Sequence, residues 1–162
     1  MHDLQQATAS DAADLQRLFA AIISEADWLP PDARNATDFA AASQGEVVTI
    51  SRSRDGRLMG FISVWAPDSF VHHLYVDPRY QGQGVGSTLL ESLASWLPRP
   101  WRLKCSRANV RAMEFYRARG WVEVGQGTSE HGPYALPQND GDGPPKQGTR
   151  TSHPGLRTAP AL

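Results

Sequence analysis

The stretch Tyr80-Gln81-Gly82-Gln83-Gly84-Val85-Gly86-Ser87-Thr88-Leu89-Leu90 follows the strand-like His73-Leu74-Tyr75-Val76 and opens an apolar-periodic helix. Glycines at alternate positions let the backbone take positive φ and approach a ligand closely, so that successive N–H groups can converge on one anion. The positive end of the following helix adds about 0.3–1 kcal/mol for a well-placed negative charge. The chain must therefore contain a strand, a tight loop and a helix in immediate succession, with a loop suited to a diphosphate. A turn that merely joins the two elements is the plainer alternative.

Two common glycine-loop chemistries do not fit. A Walker A loop ends in Gly-Lys-Ser/Thr, whereas Val85-Gly86-Ser87 has no lysine nearby. A dinucleotide fingerprint needs a small third glycine position where Ser87 stands and an acid about twenty residues on, where the chain reads Trp101-Arg102-Leu103-Lys104-Cys105.

The chain has 162 residues, 40% of them hydrophobic, enough for one packed domain. A formal net charge of −1 argues against a broad nucleic-acid or anionic-lipid surface. With no long apolar run and no basic-then-apolar start, the expectation is a soluble cytoplasmic protein. The single cysteine, Cys105, lies in an apolar run and reads as core packing. The histidines at 2, 72, 73, 131 and 153 show no metal-binding spacing with it, and no metal is expected.

Leu4 to Thr8 reads as a first strand. Leu15, Leu18, Phe19, Ile22 and Ile23 give one apolar face to a helix that Pro30-Pro31 ends. Ala33 to Ala42 suggests a second, weaker helix, with Trp28 and Phe39 as candidate substrate-wall residues beside the plainer reading of packing. Glu46 to Ile50 and Leu58 to Trp65 read as a hairpin around Asp55-Gly56, and Phe70 to Val76 as the strand entering the glycine loop. Leu89, Leu90, Leu93, Ala94 and Leu97 continue the next helix to Pro98. A strand over Trp101 to Cys105, a helix over Val110 to Arg119 and closing strands at Trp121–Gly125 and Tyr134–Leu136 complete an α/β fold with helices on both faces of a mixed sheet. Residues 137–162 carry five prolines, four glycines and no large β-branched or aromatic side chain, and read as a disordered tail after a 1–136 domain.

Asn109, Ala112 and Tyr116 stand at i, i+3 and i+7, placing an amide, a small side chain and a phenol along one helical face. Phe115 reads as a core aromatic. His72 and His73 are neighbours on a strand, so alternation allows only one to look into a given site.

Two motifs resemble one family. Gln81-Gly82-Gln83-Gly84-Val85-Gly86 is similar to the Gln/Arg-x-x-Gly-x-Gly/Ala pyrophosphate loop of the GCN5-related N-acetyltransferases. Asn109, Ala112, Phe115 and Tyr116, followed by Gly120-Trp121, resemble that family's later Asn-x-x-Ala-x-x-Phe-Tyr element. The resemblance spans roughly residues 3–136. It implies a mixed, mostly antiparallel central sheet splayed in its middle and flanked by about four helices. It also implies acetyl-CoA as co-substrate, an amine acceptor that is a small molecule or peptide, and acetyl transfer in a ternary complex. By that likeness Gln81 to Thr88 would hold the pyrophosphate and Asn109, beside Ala112, the pantetheine arm. A main-chain N–H near Tyr75 or Val76 would meet the oxyanion, and Tyr116 would protonate the leaving thiolate. His72, with His73 as fallback, would be the base, where many relatives carry an acid. A CoA-binding or partner-binding domain without turnover, and an unrelated phosphate-binding domain, are the competing readings. Whether the protein forms a homodimer stays open at this stage.

Overall fold

The computed structural model describes residues 3–31 and 38–141. In chain order they form β1 (Asp3–Gln6), α1 (Ala12–Ser24), α2 (Phe39–Ala42), β2 (Val47–Arg52), β3 (Leu58–Trp65), β4 (Phe70–Val76), α3 (Val85–Glu91), β5 (Trp101–Leu103), β6 (Cys105–Ser106), α4 (Val110–Ala118), β7 (Val122–Ser129) and β8 (Gly132–Asn139). The expected second helix is seen only over Phe39–Ala42, because positions 33–37 lie outside the described residues.

The strands make one eight-stranded sheet in the order β1-β2-β3-β4-β5-β8-β6, with β7 on β8. All pairings are antiparallel except β4 with β5, which pair in parallel only at Phe70↔Arg102 and Val71↔Leu103. Beyond Val71, β4 keeps β3 on one side while β5 and then β6 follow β8, so the sheet splays there. The expected strand over Trp101 to Cys105 is broken at Lys104 into β5, which pairs with β4 and β8, and β6, which pairs with β8. The last strand runs to Asn139, three residues past the expected domain limit, because Gln138 and Asn139 pair with β5. Residues 142–162 lie outside the described residues.

Helices cover both faces, as the element order requires. On one face Leu89, Leu90 and Leu93 of the α3 segment, with Ala112 and Tyr116 of α4, pack on Ile62, Val64, Leu74 and Val76. On the other, Leu15, Leu18, Phe19 and Ile23 of α1 and Phe39 of α2 pack on Ile50, Phe61 and Tyr75. Each such fully buried large side chain contributes about 1.5–3 kcal/mol. Arg52 on β2 pins the start of α1 through Asp11 at 2.7 Å and Asp14 at 3.1 Å.

One irregularity changes the site. Ser63 pairs with His73 but Val64 with Val71, so His72 is an extra residue in β4, a β-bulge. Simple alternation is lost: the His72 and His73 rings lie 3.8 Å apart, on the α1 and α2 side, rather than on opposite faces.

The β3–β4 pair is equally exacting at Gly60, where a Cβ would come 2.7 Å from the Tyr75 carbonyl oxygen. Gly60→Ala should cost about 1–3 kcal/mol by forcing the two strands apart. Urea unfolding reads this directly, as a lower midpoint with an unchanged slope.

Candidate functional site

The glycine loop is built from the strand end forward. Asp77 caps the turn after β4, accepting from the Arg79 N–H at 2.9 Å and pairing with its guanidinium at 2.9 Å, which holds the carboxyl below its ordinary range. Gly82 at φ 79° and Gly84 at φ 82° then take the left-handed conformation that L side chains resist. Gly84 is the N-cap of α3 and has no side chain to cover the first-turn amides, which point outward without intrahelical acceptors. Thr88 Oγ1 donates to the Gly84 carbonyl at 2.8 Å and Gln81 Nε2 to that of Val76 at 3.4 Å, fixing the loop from both ends.

A groove of about 830 Å³ opens over this loop. Its floor is Val76, Gln81, Gly82, Gly84, Val85, Gly86 and Ser87, its far wall Asn109, Arg111, Glu114, Phe115 and Arg119 from α4, and its remaining side Glu25, Ala26, Asp27 and Trp28 after α1. The walls are tied together by Arg119, which donates to Ser87 Oγ at 2.9 and 2.6 Å and lies 3.7 Å over the Phe115 ring. A Cβ at Gly86 would sit 3.3 Å from that ring, so the third glycine sets how closely α3 and α4 approach.

Asn109 is the N-cap of α4. Its Oδ1 accepts from the Ala112 N–H at 3.2 Å, which leaves its amide N–H groups for a ligand in the groove. Of the two main-chain candidates, Val76 lines the groove and Tyr75 is fully buried. The Asp77 N–H goes to the Met59 carbonyl on β3, so alternation turns the polar groups of Val76 to the edge that β5 leaves open.

Several expected residues stand behind the groove. Gln83 and Thr88 bond back to Arg79 and Gly84, and Ala112 is buried in the core. Tyr116 is 1% exposed and packs on Trp121 and Phe115. Its hydroxyl is buried without a hydrogen-bond partner among the described residues. Burial pushes the phenol well above its ordinary value, with Cys105 and Tyr75 adding to the effect. Tyr116 shares a core cluster with Leu74 and Val76 of β4 and with Leu103 and Cys105, which lie on the other side of the splay. The Cys105 thiol, pushed up to about 12 by burial, is inert packing. Phe115, expected in the core, is half-buried and lines the groove. Trp28 lines it as well, whereas Phe39 is packed against Phe19 and Phe61.

His72 and His73 are both buried and share a neighbour the sequence did not offer. Glu46 Oε2 lies 2.8 Å from His72 Nδ1, and Ser63 Oγ lies 2.6 Å from His73 Nδ1. Glu46, His72 and His73 are also described residues whose ligand atoms come within 4.8 Å of one another; as arranged, a hydrogen bond joins Glu46 to His72. A separation of 26 residues gives no sequence signal for Glu46. Arg119, readable only as a helix-end charge, was hidden for the same reason.

The groove thus brings open helix amides and a guanidinium to one place and sets an amide donor on the facing helix, with an orphan hydroxyl behind it. Comparison with known proteins bears on the family and the fold. Residues 12–121 match the acetyltransferase (GNAT) family. An aminoglycoside N(6')-acetyltransferase type 1 from Stenotrophomonas maltophilia is 33% identical over 102 residues, 57% of this chain and 65% of that protein, just under two thirds of its length. A GCN5-related N-acetyltransferase from Rhodopseudomonas palustris superposes with a TM-score of 0.72 at 25% identity, covering 86% of this chain and 96% of that one. A phosphinothricin acetyltransferase from Sinorhizobium meliloti in complex with acetyl-CoA shares the fold at a TM-score of 0.64 and 19% identity, covering 92% and 95%. With its family match running from α1 to the residue before β7, and with a splayed sheet and glycine loop to carry it, the chain belongs to the GNAT acetyltransferase family.

Proposed function

We propose that the protein transfers an acetyl group from acetyl-CoA directly to a primary amine in a ternary complex. The observation that carries this reading is the orphan Tyr116 hydroxyl, buried at the splay behind a groove walled by the glycine loop and Asn109. A buried hydroxyl left unpaired costs about 1–3 kcal/mol, and a ligand atom reaching through the splay would recover it.

The residues present fit acetyl-CoA. The amides of Val85 to Ser87 and the Arg119 guanidinium would hold the diphosphate, and the Asn109 amide the pantetheine arm. The thioester supplies an activated acyl group. At pH 7 only about one amine in a thousand with pKa near 10.4 is neutral, a cost of about 4–5 kcal/mol that a base must lift. His72 would take that proton as the amine nitrogen bonds to the acyl carbon, the Val76 N–H would steady the oxyanion, and Tyr116 would protonate the departing thiolate. Because a thiol has pKa near 8.5, Tyr116 has modest work to do. The acceptor belongs on the α1 side of the groove. There Glu25 and Asp27 are exposed beside Trp28, a setting suited to a cationic molecule, while Arg111 and Arg119 lie on the α4 wall. The name of the Stenotrophomonas relative makes aminoglycosides the first acceptors to try.

Acetyl-CoA at about a hundred micromolar should raise the melting temperature, and thiol release should follow addition of an accepted amine, with a gain of about 42 Da in the product. Thermal stabilisation without thiol release across an aminoglycoside and polyamine panel would leave a binding domain instead. Tyr116→Phe should lower kcat about ten- to a hundredfold with acetyl-CoA binding retained, read by steady-state kinetics and calorimetry. The two roles of Asn109 should separate: Asn109→Asp keeps the cap and weakens acetyl-CoA binding, whereas Asn109→Ala also loses about 0.5–2 kcal/mol of stability in urea unfolding.

A further inference from the structure

The carboxylate of Glu46 stands just ahead of β2, its side chain wholly enclosed, with Oε2 2.8 Å from His72 Nδ1 and Oε1 4.0 Å from His73 Nδ1. The shorter contact is a hydrogen bond and the longer one is not. His73 is engaged elsewhere, its Nδ1 2.6 Å from Ser63 Oγ. Two imidazoles lie side by side, therefore, and the carboxylate's hydrogen bond at 2.8 Å goes to His72. On that ring the opposite nitrogen, Nε2, is buried and has no hydrogen-bond partner among the described residues. His72 is also the bulge residue of β4, one position past the last β4–β5 pair, and so stands where the sheet opens.

From this geometry we propose that Glu46 is a positioning residue for His72. An ionised carboxylate only accepts hydrogen bonds, so Oε2 at 2.8 Å requires the proton on Nδ1 and leaves the lone pair on Nε2. That fixes which nitrogen is basic and which way the ring faces. When Nε2 takes the proton of the attacking amine, the Nδ1 proton stays in place on its hydrogen bond to Glu46, and the carboxylate stabilises the imidazolium. The His73 ring lies 3.8 Å from that of His72. It is itself packed among Phe19, Phe39, Phe61 and Tyr75 and bonded to Ser63, so the titratable groups in contact with His72 among the described residues are Glu46 and His73. The neighbouring His73, tied to Ser63, is a poor substitute, so the pair does not act as two interchangeable bases. The catalytic half of this assignment rests on His72 being the base; the tautomer half does not.

The test joins a spectroscopic and a kinetic measurement on the full chain. Long-range 1H–15N correlation of the 15N-labelled protein, with His72 assigned through His72→Gln, should show the Nδ1–H tautomer, and Glu46→Gln should convert it to a mixture or to the Nε2–H form. Glu46→Asp should restore part of the wild-type signature. With the best amine acceptor, Glu46→Gln should reduce kcat about ten- to a hundredfold and leave KM for acetyl-CoA within about twofold. The acidic limb of the pH–rate profile should shift, and the double variant with His72→Ala should be no slower than His72→Ala alone. An Nε2–H tautomer in the wild type overturns the proposal with no variant needed. So does stoichiometric zinc binding that Glu46→Gln abolishes, since it would make these residues ligands. Full activity in both Glu46→Gln and His72→Ala removes His72 as base, and the catalytic half with it. Full activity in Glu46→Gln with a slow His72→Ala sinks the role of Glu46 alone.

Discussion

The pairing of β4 with β5 ends after two residues, and the site depends on that brevity. Phe70 and Val71 align with Arg102 and Leu103, and then the chain continues along β8, its partner from Trp101 on, without β4. A strand edge in the middle of a sheet would ordinarily be closed by a neighbour, since unpaired backbone groups inside a protein are costly. Here the edge of β4 is left open over the stretch leading to the glycine loop. Hydrogen-bonding capacity is thereby kept where a ligand can use it, inside an otherwise close-packed molecule.

The two covered faces of the sheet divide the labour around that gap. The α3 and α4 face supplies the cradle. Glycine at three alternate positions allows the loop to turn, uncaps the helix and lets Phe115 and Arg119 approach, so one short stretch sets both the backbone path and the spacing of the two helices. The α1 and α2 face supplies a closed aromatic shell in which Glu46, Ser63, His72 and His73 form the polar interior. Tyr116 reaches the same gap from the first face. Charge is mixed on the α4 wall, where Glu114 stands with Arg111 and Arg119, and negative where Glu25 and Asp27 follow α1.

The bulge in β4 links the two halves. Without the extra residue His72 would point to the α3 side, into a core of Ile62, Val64 and Leu74, where an imidazole would find no partner. With it, both histidines meet polar groups and the strand keeps its register with β3 on either side. A local backbone irregularity thus determines which titratable groups can share a proton.

Much of this was legible in the chain. Period-2 and period-3.6 apolar patterns gave β3, β4 and α4 to within a residue or two, because those elements bury one face each and their spacing must match it, whereas α1 ends at Ser24, well before the expected stop at Pro30-Pro31. The glycine loop was readable because it is local: a left-handed turn is decided within a few residues. The sequence by itself determined the family, the loop and the facing helix. The tertiary structure alone decided that Glu46, 26 residues away, meets His72, that alternation fails at the bulge, that Phe115 faces the groove while Ala112 and Tyr116 lie behind it, and that Arg119 closes on Ser87. The reason is physical: partners in different elements, and the strand register that brings them together, are fixed by packing between elements, which no local spacing records.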